Sequence, residues 1–305
     1  MIAAVIRVMC PGHITGFFEI CESDDARYMG SRGAGICISK GVETKLTVKE
    51  SENTEINVKI NGKSVSAPVT RAVVERFLKF VNKPLLFEIE HKIGVPISAG
   101  FGASGAGALS TAIALNKELN LKMTRNAAAT IAHISEIENS TGLGDVIAQT
   151  YGGIEIRVEP GAPGIGRIDQ IIPNPNTQLL CMTLGQLETK AILTDPAARA
   201  HINQAGRQLV QELIQNATIE NFIALSRKFM EKSGLLSKNL RDLLMYINDV
   251  TSIPASMVML GESLFMFVNR TESEEIQDKI QEYSSKLNVF ICDIDLRGPR
   301  IIEAR

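Results

Sequence analysis

A net positive charge is missing from this 305-residue sequence, because 32 lysines and arginines face 34 aspartates and glutamates. The resulting net charge of −2 gives no reason to expect nucleic acid or an anionic membrane as a partner. No apolar run is long enough to span a bilayer, and the segment Met1–Arg7 is too short, and charged too early, for a signal peptide. We therefore predict a protein with no nucleic-acid and no membrane partner.

Cysteine is scarce and follows no pattern. Five cysteines occur, without any C-x-x-C pair among them. An odd, scattered set argues against a disulfide framework or a zinc site and favours free thiols in a reducing compartment. We therefore expect a cytoplasmic protein with free thiols at Cys10, Cys21, Cys37, Cys181 and Cys292.

The common nucleotide-binding signatures are incomplete or missing. No G-x-x-x-x-G-K-[ST] phosphate loop occurs, and the H-R-D and D-F-G partners of a protein-kinase glycine loop are absent. Gly100–Gly105 does satisfy G-x-G-x-x-G. A dinucleotide fold also needs a second strand that ends in Asp or Glu about 20 residues later, whereas Leu121–Thr130 begins another helix. These three interpretations are therefore disfavoured.

A strand, a glycine loop and a helix between Leu85 and Leu119 form the most informative stretch. Leu85–Ile93 alternates apolar and polar residues like a half-buried strand, and the glycine-rich Ala99–Leu109 then leads into an alanine-rich helix. Unpaired N–H groups and the helix dipole at such a helix start favour a bound phosphate. The alternative is a flexible loop with a poor helix, because glycine inside a helix costs roughly 0.5–1 kcal/mol. Close approach of a ligand or another backbone would explain that cost at Gly105 and Gly107.

The rest of the chain predicts a mixture of strands and helices. Ile2–Val8 forms an opening strand from which Cys10–Glu19 turns away, and Val42–Lys49 and Glu55–Ile60 predict an antiparallel meander. A domain boundary is expected near Pro173, at a run of breakers. A hairpin is predicted around Gly261, a strand over Val289–Ile294 and a solvated turn at Arg297–Arg300. The helix predicted over Thr124–Glu138 has an apolar face of Ile131, Ile134 and Ile137. The other predicted helices are Ala67–Phe80, Pro196–Gln215, Ile219–Lys232, Lys238–Asn248 and Glu274–Lys286.

Three segments resemble the GHMP family of small-molecule kinases. Pro96–Gly105 (P-I-S-A-G-F-G-A-S-G) is similar to the central P-x-x-x-G-L-G-S-S-A motif, with Ser104 on the second serine. Pro11, Gly12 and Glu19 resemble the first motif, P-G-K/R-V-x-L-x-G-E-H, with His13 at the position of its basic residue. Ser140–Gly153 resembles the segment S-G-x-D-N-x-x-x-x-x-G-G, which carries a catalytic aspartate in the family.

The resemblance implies an α+β, two-domain fold. Residues 1–173 would form an N-terminal domain of the ribosomal-protein-S5-like β/α type that holds the nucleotide loop, and residues 174–305 a C-terminal ferredoxin-like α/β sandwich. It also implies ATP and Mg²⁺ as cofactors, with Asp145 as catalytic base and with Ser104 and Glu136 as metal ligands. The implied ATP-binding residues are Pro96, Gly100, Gly102, Ala103, Ser104, Gly105 and Ala106.

Alternatives remain for several of these residues. Glu138 is a second candidate for the metal, and Asp145 could instead cap a helix after a glycine turn. His13, Ser31 and Arg32 are candidate substrate contacts, where Arg32 offers a fork for a carboxylate but could equally be a solvated surface residue. Gly33 and Gly35 could mark a bulge or a turn. Only Gly261 remains of the family's glycine-rich third motif.

The expected activity is ATP-dependent phosphorylation of a primary hydroxyl on a small-molecule substrate. The pairing of Pro11–Phe18 with Gly30–Ile36 is most similar to one archaeal branch of the family, whose members act on a small hydroxy acid. Homoserine, mevalonate and shikimate are alternative substrates, and a homodimer is a possible assembly. A non-catalytic nucleotide-binding protein on the same fold is the alternative from another class, followed by a dinucleotide-dependent oxidoreductase.

Overall fold

The computed structural model describes residues 5–186 and 195–304, and two β-sheets organise these residues. Within these ranges, no helix combines the length and the apolar character that crossing a bilayer requires. The strands are β1 Val5–Cys21, β2 Gly30–Glu50, β3 Glu55–Ile60, β4 Lys63–Ser64, β5 Leu85–Ile93, β6 Ile154–Glu159, β7 Arg167–Ile171, β8 Thr177–Gly185, β9 Ala255–Val258, β10 Glu262–Asn269, β11 Asn288–Asp293 and β12 Arg300–Ala304.

The first sheet has the order β12-β1-β2-β5-β3-β4, and β6 joins β2 and carries β7. Strand β3 pairs with β5 in parallel, so the predicted antiparallel meander of Val42–Lys49 and Glu55–Ile60 is wrong. The reason is that β5, which comes later in the chain, inserts between these two strands. The strand predicted over Ile2–Val8 is present from Val5 onward, and residues 2–4 lie outside the described residues.

Strands β1 and β2 are longer than their sequences suggest. We predicted that Cys10–Glu19 turns out of the opening strand, yet β1 continues to Cys21 and pairs with β2 over nearly its whole length. Register shifts at Pro11/Gly12 and Thr15/Phe17 absorb the irregular residues without ending the strand. Such bulges bend a strand and redirect its side chains, and His13 lies between these two irregularities.

The second sheet has the order β11-β8-β10-β9 and all its pairs are antiparallel. In chain order this is fourth, first, third and second, with helices after the first and third strands, as in the ferredoxin-like β-α-β-β-α-β arrangement. The predicted hairpin around Gly261 is confirmed, because β9 and β10 pair on either side of it.

The helices agree with most of the predicted helical stretches. Thr124 caps its helix as predicted, since its hydroxyl accepts from the Ala127 N–H at 3.2 Å. The stretch predicted as one helix over Pro196–Gln215 is two helices, separated where Gln208 adopts a φ of 77°. The helices are α1 Pro68–Leu78, α2 Ala103–Glu118, α3 Arg125–Asn139, α4 Asp145–Tyr151, α5 Pro196–Gly206, α6 Leu209–Gln215, α7 Ile219–Lys232, α8 Lys238–Val250 and α9 Ser273–Gln281.

Two apolar cores meet at β1 and β2. One core lies between the first sheet and helices α1–α3, and the other joins the distal parts of β1 and β2 to β6 and the second sheet. Helix α3 faces the first core with small residues, Ala128, Ala129 and Ala132. Of the predicted apolar face of Ile131, Ile134 and Ile137, only Ile131 packs against this core, and all three isoleucines are half-buried. The buried face with the alanines also carries Glu136.

The chain ends with a strand that the sequence did not reveal. We predicted a solvated turn at Arg297–Arg300, and the described chain continues beyond it as β12, which pairs antiparallel with β1 at the edge of the first sheet. Asp295 stabilises the turn that precedes β12, because its carboxylate accepts from the backbone N–H groups of Arg297 and Gly298 and from the Arg300 guanidinium. The predicted domain limits, 1–173 and 174–305, remain a prediction. Strand β12 belongs to the second of these ranges but pairs with β1 in the first sheet.

Candidate active site

A cavity of about 410 Å³ lies against the junction of β1, β2 and the start of helix α2. The glycine loop from Gly100 to Ser104 lines its middle, and Ser31, Asp145 and Arg157 line one end. The other end is mostly apolar, with Ile60, Ala67, Pro68, Ile93 and Ile97 in its wall. The cavity therefore offers a charged end and an apolar end on either side of the glycine loop.

The glycine loop ends in an open helix N-terminus. The first intrahelical hydrogen bond of α2 runs from the Ala106 N–H to the Gly102 carbonyl at 3.0 Å, so the N–H groups of Ala103, Ser104 and Gly105 have no partner within the helix. These donors and the helix dipole favour an anion such as phosphate. Among the residues predicted to bind ATP, Pro96, Gly100, Gly102, Ala103 and Ser104 line the cavity, whereas Gly105 and Ala106 are buried below it.

Close approach of the chain to itself accounts for the glycines. Gly100 and Gly102 have φ values of 88° and 64°, which favour glycine. A Cβ on Gly102 would lie 3.1 Å from the His13 Cβ, and one on Gly105 would lie 3.0 Å from the Asp145 Cβ. The helix-breaking residues thus let α2 pack directly against His13 and the start of α4.

Ser104 and Glu136 meet beside the glycine loop. The Ser104 hydroxyl donates to Glu136 Oε1 at 2.5 Å, and Glu136 Oε2 is buried without a partner in the described chain. Burial raises the pKa of Glu136 to about 7, and the negative charge of Asp145 adds to this shift. Glu138, the alternative metal ligand, instead pairs with Arg76 and is half exposed.

Asp145 begins a chain of four charged side chains. Its Oδ1 contacts His13 Nδ1 at 2.7 Å, His13 Nε2 contacts Glu155 Oε1 at 2.8 Å, and Glu155 accepts from the Arg157 guanidinium. Because both ring nitrogens face carboxylates, the ring fits as an imidazolium that donates twice. Burial lowers the pKa of His13, but its hydrogen bonds to Asp145 and Glu155 outweigh that effect and raise it above its ordinary value.

This geometry separates the exposed and hidden members of the chain. Asp145 and Arg157 line the cavity, whereas His13 and Glu155 are fully buried behind it. Helix α4 is capped at Gly144 without a side-chain bond, so the Asp145 carboxylate is directed to His13 and does not cap the helix. The hidden pair therefore fixes the orientation of two cavity-lining charges.

Two glycines of β2 make room for the hidden side chains. Gly33 and Gly35 pair across the sheet with Arg157 and Glu155. A Cβ on Gly35 would lie 2.4 Å from His13 Nε2, and one on Gly33 would lie 2.8 Å from the Arg157 guanidinium. The glycines that the sequence analysis considered as a bulge or turn thus form a trough under the charged chain.

The arginine at the cavity is Arg157, whereas Arg32, the candidate substrate contact, lies on the other face of the sheet. Ser31 lines the cavity, and strand alternation places Arg32 on the opposite face of β2. There the Arg32 Nε donates to the Val158 carbonyl at 3.1 Å, and its guanidinium lies 3.5 Å from Glu19. Arg157 lines the cavity instead, with a buried Nε that has no partner in the described chain.

Arg157 and Glu155 were missed by the sequence analysis. Their strand alternates Ile154, Ile156 and Val158 with polar residues, which is typical of a strand with one solvated face. The available signal was that Gly33 and Gly35 are two residues apart, as are Glu155 and Arg157. Only the pairing of β2 with β6 shows that each glycine lies opposite one of these charged residues.

A second buried polar chain lies at the apolar end of the cavity. Ser110 donates to the Ala106 carbonyl at 2.7 Å, so its oxygen accepts from Thr44 at 2.5 Å, and Thr44 accepts from His91 Nδ1 at 2.7 Å. His91 Nε2 then accepts from Thr70 at 3.0 Å. This assignment places one proton in each contact and needs a neutral imidazole. Burial lowers the pKa of His91 to about 4, in agreement with that state.

Comparison with known proteins supports the resemblance seen in the motifs. Residues 68–153 match the family described as the GHMP kinases N terminal domain. A pantoate kinase from Thermococcus kodakarensis is 35% identical over 303 residues, covering 97% of this chain and 98% of that protein. A pantoate kinase from Methanocaldococcus jannaschii is 36% identical over 288 residues, covering 94% and 99%.

The chain belongs to the GHMP kinase family.

Solved structures agree with this assignment. A structure titled "Phosphotransferase related to CoA biosynthesis pathway" superposes with a TM-score of 0.88 at 33% identity, covering 97% of this chain and 98% of that one. The Methanococcus jannaschii mevalonate kinase shares the fold with a TM-score of 0.69 at 18% identity, covering 95% and 98%. These structures confirm the predicted α+β GHMP-kinase fold, and the family uses ATP to phosphorylate small molecules.

The reduced third motif of this GHMP kinase, at Gly261, packs directly against the backbone at the start of the glycine loop. A Cβ on Gly261 would lie 2.0 Å from the Ala99 carbonyl oxygen, and Ser263 donates to that same oxygen at 2.9 Å. The tip of the β9–β10 hairpin brings Met259 and Leu260 to the cavity wall. Apolar side chains therefore stand where the family usually has a glycine-rich loop.

The donor set beside the glycine loop fits a magnesium ion. Ser104 Oγ and the buried, unpartnered Oε2 of Glu136 are oxygen donors of the kind that Mg²⁺ prefers. In the ranges 5–186 and 195–304, no three His, Cys, Asp or Glu side chains form a cluster that could hold a metal alone. Such a site suits a magnesium ion that arrives with ATP phosphates, since Mg²⁺ commonly takes only one or two protein carboxylates.

Proposed function

We propose that this GHMP kinase transfers the terminal phosphoryl group of ATP to the primary hydroxyl of pantoate, giving 4-phosphopantoate for coenzyme A biosynthesis. The archaeal branch that the first motif resembles is that of the pantoate kinases, and relatives with that name cover nearly the whole chain. The observation that carries the proposal is a single cavity that joins an open helix N-terminus to Asp145 and Arg157.

The nucleotide phosphates bind at the start of α2. The free N–H groups of Ala103 and Ser104, which line the cavity, face the phosphates, and the nucleoside extends toward the apolar end of the cavity, away from Asp145. When bound, Mg²⁺ would be held by Ser104 and Glu136 and would neutralise charge on the transferred phosphoryl group.

Asp145 acts on the attacking hydroxyl. Its Oδ1 is held by His13, and its Oδ2 accepts no hydrogen bond from the described residues. That oxygen takes the proton of the primary hydroxyl as the new O–P bond forms and the bond to ADP breaks. His13, predicted as a substrate contact, has both ring nitrogens occupied by carboxylates, so we assign it the positioning of Asp145.

The pantoate carboxylate binds at Arg157. The guanidinium is a buried cation on the cavity wall whose Nε faces Gly144, a residue that also lines the cavity. A guanidinium in this position can hold a carboxylate with two hydrogen bonds. We therefore propose Arg157 in the role that the sequence suggested for Arg32. Ser31, on the same wall, binds a substrate hydroxyl.

Two measurements test the proposed function. ADP release with Mg-ATP is measured against pantoate, homoserine, mevalonate and shikimate, and turnover is expected with pantoate. Asp145→Asn should lower turnover by orders of magnitude while ATP still raises the melting temperature. Turnover with another member of the panel would remove pantoate as the substrate. Binding of ATP without turnover of any member would favour the non-catalytic alternative.

The cellular setting and assembly are proposed separately. All five cysteines are free, in line with the cytoplasmic location that their spacing suggested. A homodimer remains the proposed assembly, which sedimentation of the full chain would test.

A further inference from the structure

The charged end of the cavity has an apolar side as well as a polar one. Phe18, Gly33 and Arg157 lie in one row across β1, β2 and β6, so the phenyl ring and the guanidinium share one face of the sheet with only a glycine between them. Phe18 is 4% exposed, and its ring centroid is 5.7 Å from that of Phe229, which holds it from behind. A buried, packed apolar side chain therefore adjoins the proposed carboxylate site.

Two leucines complete this surface. Leu143 comes two residues before Asp145, and its carbonyl oxygen would lie 3.1 Å from a Cβ on Gly30, next to Ser31. Leu260 is at the tip of the β9–β10 hairpin and also lines the cavity. We call Phe18, Leu143 and Leu260 the apolar wall. All three line the cavity, and the two leucines are only partly buried, which leaves surface for a ligand.

The Met259 backbone N–H fixes the hairpin tip by donating to the Thr15 carbonyl of β1 at 3.0 Å. Thr15 and Phe18 are three residues apart on that strand. The hairpin tip is thus attached to the same strand that carries Phe18, so the members of the apolar wall are held together by the fold.

Pantoate has four features to be recognised: a carboxylate, a secondary hydroxyl, a primary hydroxyl and a quaternary carbon with two methyl groups. In the proposed function, Arg157 binds the carboxylate, Ser31 the secondary hydroxyl and Asp145 the primary hydroxyl. None of these three residues contacts the methyl groups. We propose, on the basis of the proposed function, that the apolar wall binds the two methyl groups of the substrate and selects pantoate over unbranched hydroxy acids.

The expected selectivity follows from the area that two methyl groups remove from water. A hydrophobic pocket that accepts one extra methylene distinguishes substrates by about tenfold or more in kcat/KM. The suitable probe is 2,4-dihydroxybutanoate, which keeps the carboxylate and both hydroxyls of pantoate and lacks only the methyl groups. The quantity to measure is the ratio of kcat/KM for pantoate to that for the probe.

The full chain and the variants Leu143→Ala and Leu260→Ala are assayed with both substrates. The parent should prefer pantoate by about tenfold or more, and each variant should reduce that ratio about threefold or more by weakening pantoate turnover selectively. Leu296→Ala is the control, because Leu296 is 61% exposed and does not line the cavity. A general structural defect lowers both kcat/KM values and leaves their ratio unchanged.

The outcomes separate this inference from the proposed function. An unchanged ratio in both leucine variants, with pantoate turnover intact, would overturn the role of the apolar wall and leave the kinase assignment standing. Equal use of the two acids by the parent would do the same. Turnover of neither acid by the parent would overturn the proposed function and, with it, this inference.

Discussion

Replacing Glu155 by glutamine should weaken both the fold and the activity. Glu155 is fully buried and lies between His13, at 2.8 Å, and the Arg157 guanidinium. Both contacts are made by the same oxygen, Oε1, so the amide oxygen of glutamine can accept from both groups but carries no negative charge. The change therefore leaves the buried charges of His13 and Arg157 less compensated.

The magnitude follows from the burial of the group. Breaking one side of a buried ion pair costs about 3–5 kcal/mol, because the remaining charge stays buried. Because glutamine keeps the oxygen that makes both contacts, we expect the low end of this range, a loss of about 3 kcal/mol in the free energy of unfolding. A hydrogen bond to a charged group is worth about 1.5–3 kcal/mol. Losing that much of the interaction that holds Asp145 and Arg157 in position should lower kcat/KM for pantoate roughly 10- to 150-fold.

The assay pairs urea unfolding with ADP release measured well below the melting temperature. Glu159→Gln is the matched control, because Glu159 is on the same strand, is 59% exposed and pairs with Arg167 at the surface. Surface ion pairs of this kind contribute about 0–1 kcal/mol. If Glu155→Gln had the stability and kcat/KM of Glu159→Gln, Glu155 would not position the catalytic residues.

Three further experiments test other parts of the structure. Arg157→Ala should raise the KM for pantoate at least about tenfold, whereas Arg32→Ala should leave it near the parental value, because only Arg157 lines the cavity. Equal effects of the two substitutions would contradict the placement of the carboxylate at Arg157. Gly35→Ala should destabilise the protein by about 1–3 kcal/mol, because the new Cβ meets His13 Nε2. At Gly185 a new Cβ meets no atom of residues 5–186 and 195–304 within 4 Å, so Gly185→Ala should be neutral in urea unfolding. His91 has a pKa lowered to about 4 by burial, so its contribution to stability is present above pH 6.5 and is lost as the pH falls toward 4, at about 1.4 kcal/mol per pH unit. His91→Gln should flatten this loss relative to the parent, and parallel stability–pH curves would contradict the assigned neutral state.

Local spacing in the sequence was sufficient for the parts of the site that lie on one continuous stretch. Ser104 follows a glycine loop at a helix start, and Asp145 follows another glycine turn, so motif spacing predicted both, and both line the cavity. The structure places Glu136 beside Ser104, whereas its neighbour Glu138 pairs with Arg76 at the surface. Spacing alone did not distinguish these two, because the choice depends on which face of α3 packs against α2.

Side chains that meet across the sheet were beyond such reasoning. Glu155 and Arg157 look solvated in their own strand and are buried only because β6 pairs with the glycines of β2. The same limit explains why the face predicted for α3 was only partly right, since the helix packs tightly through Ala128 and Ala132 and leaves Ile134 half-buried. Burial here is decided by a distant partner, which the local periodicity of a segment does not contain.

The position of β12 has a consequence for the order in which the protein matures. Its partner β1 is made first, yet β12 is made after every strand of the second sheet. During synthesis, the β1 edge of the first sheet therefore stays open while the second sheet is assembled, and open edges are where chains pair wrongly. A newly made molecule is consequently vulnerable at the strand that carries His13 until β12 pairs with it.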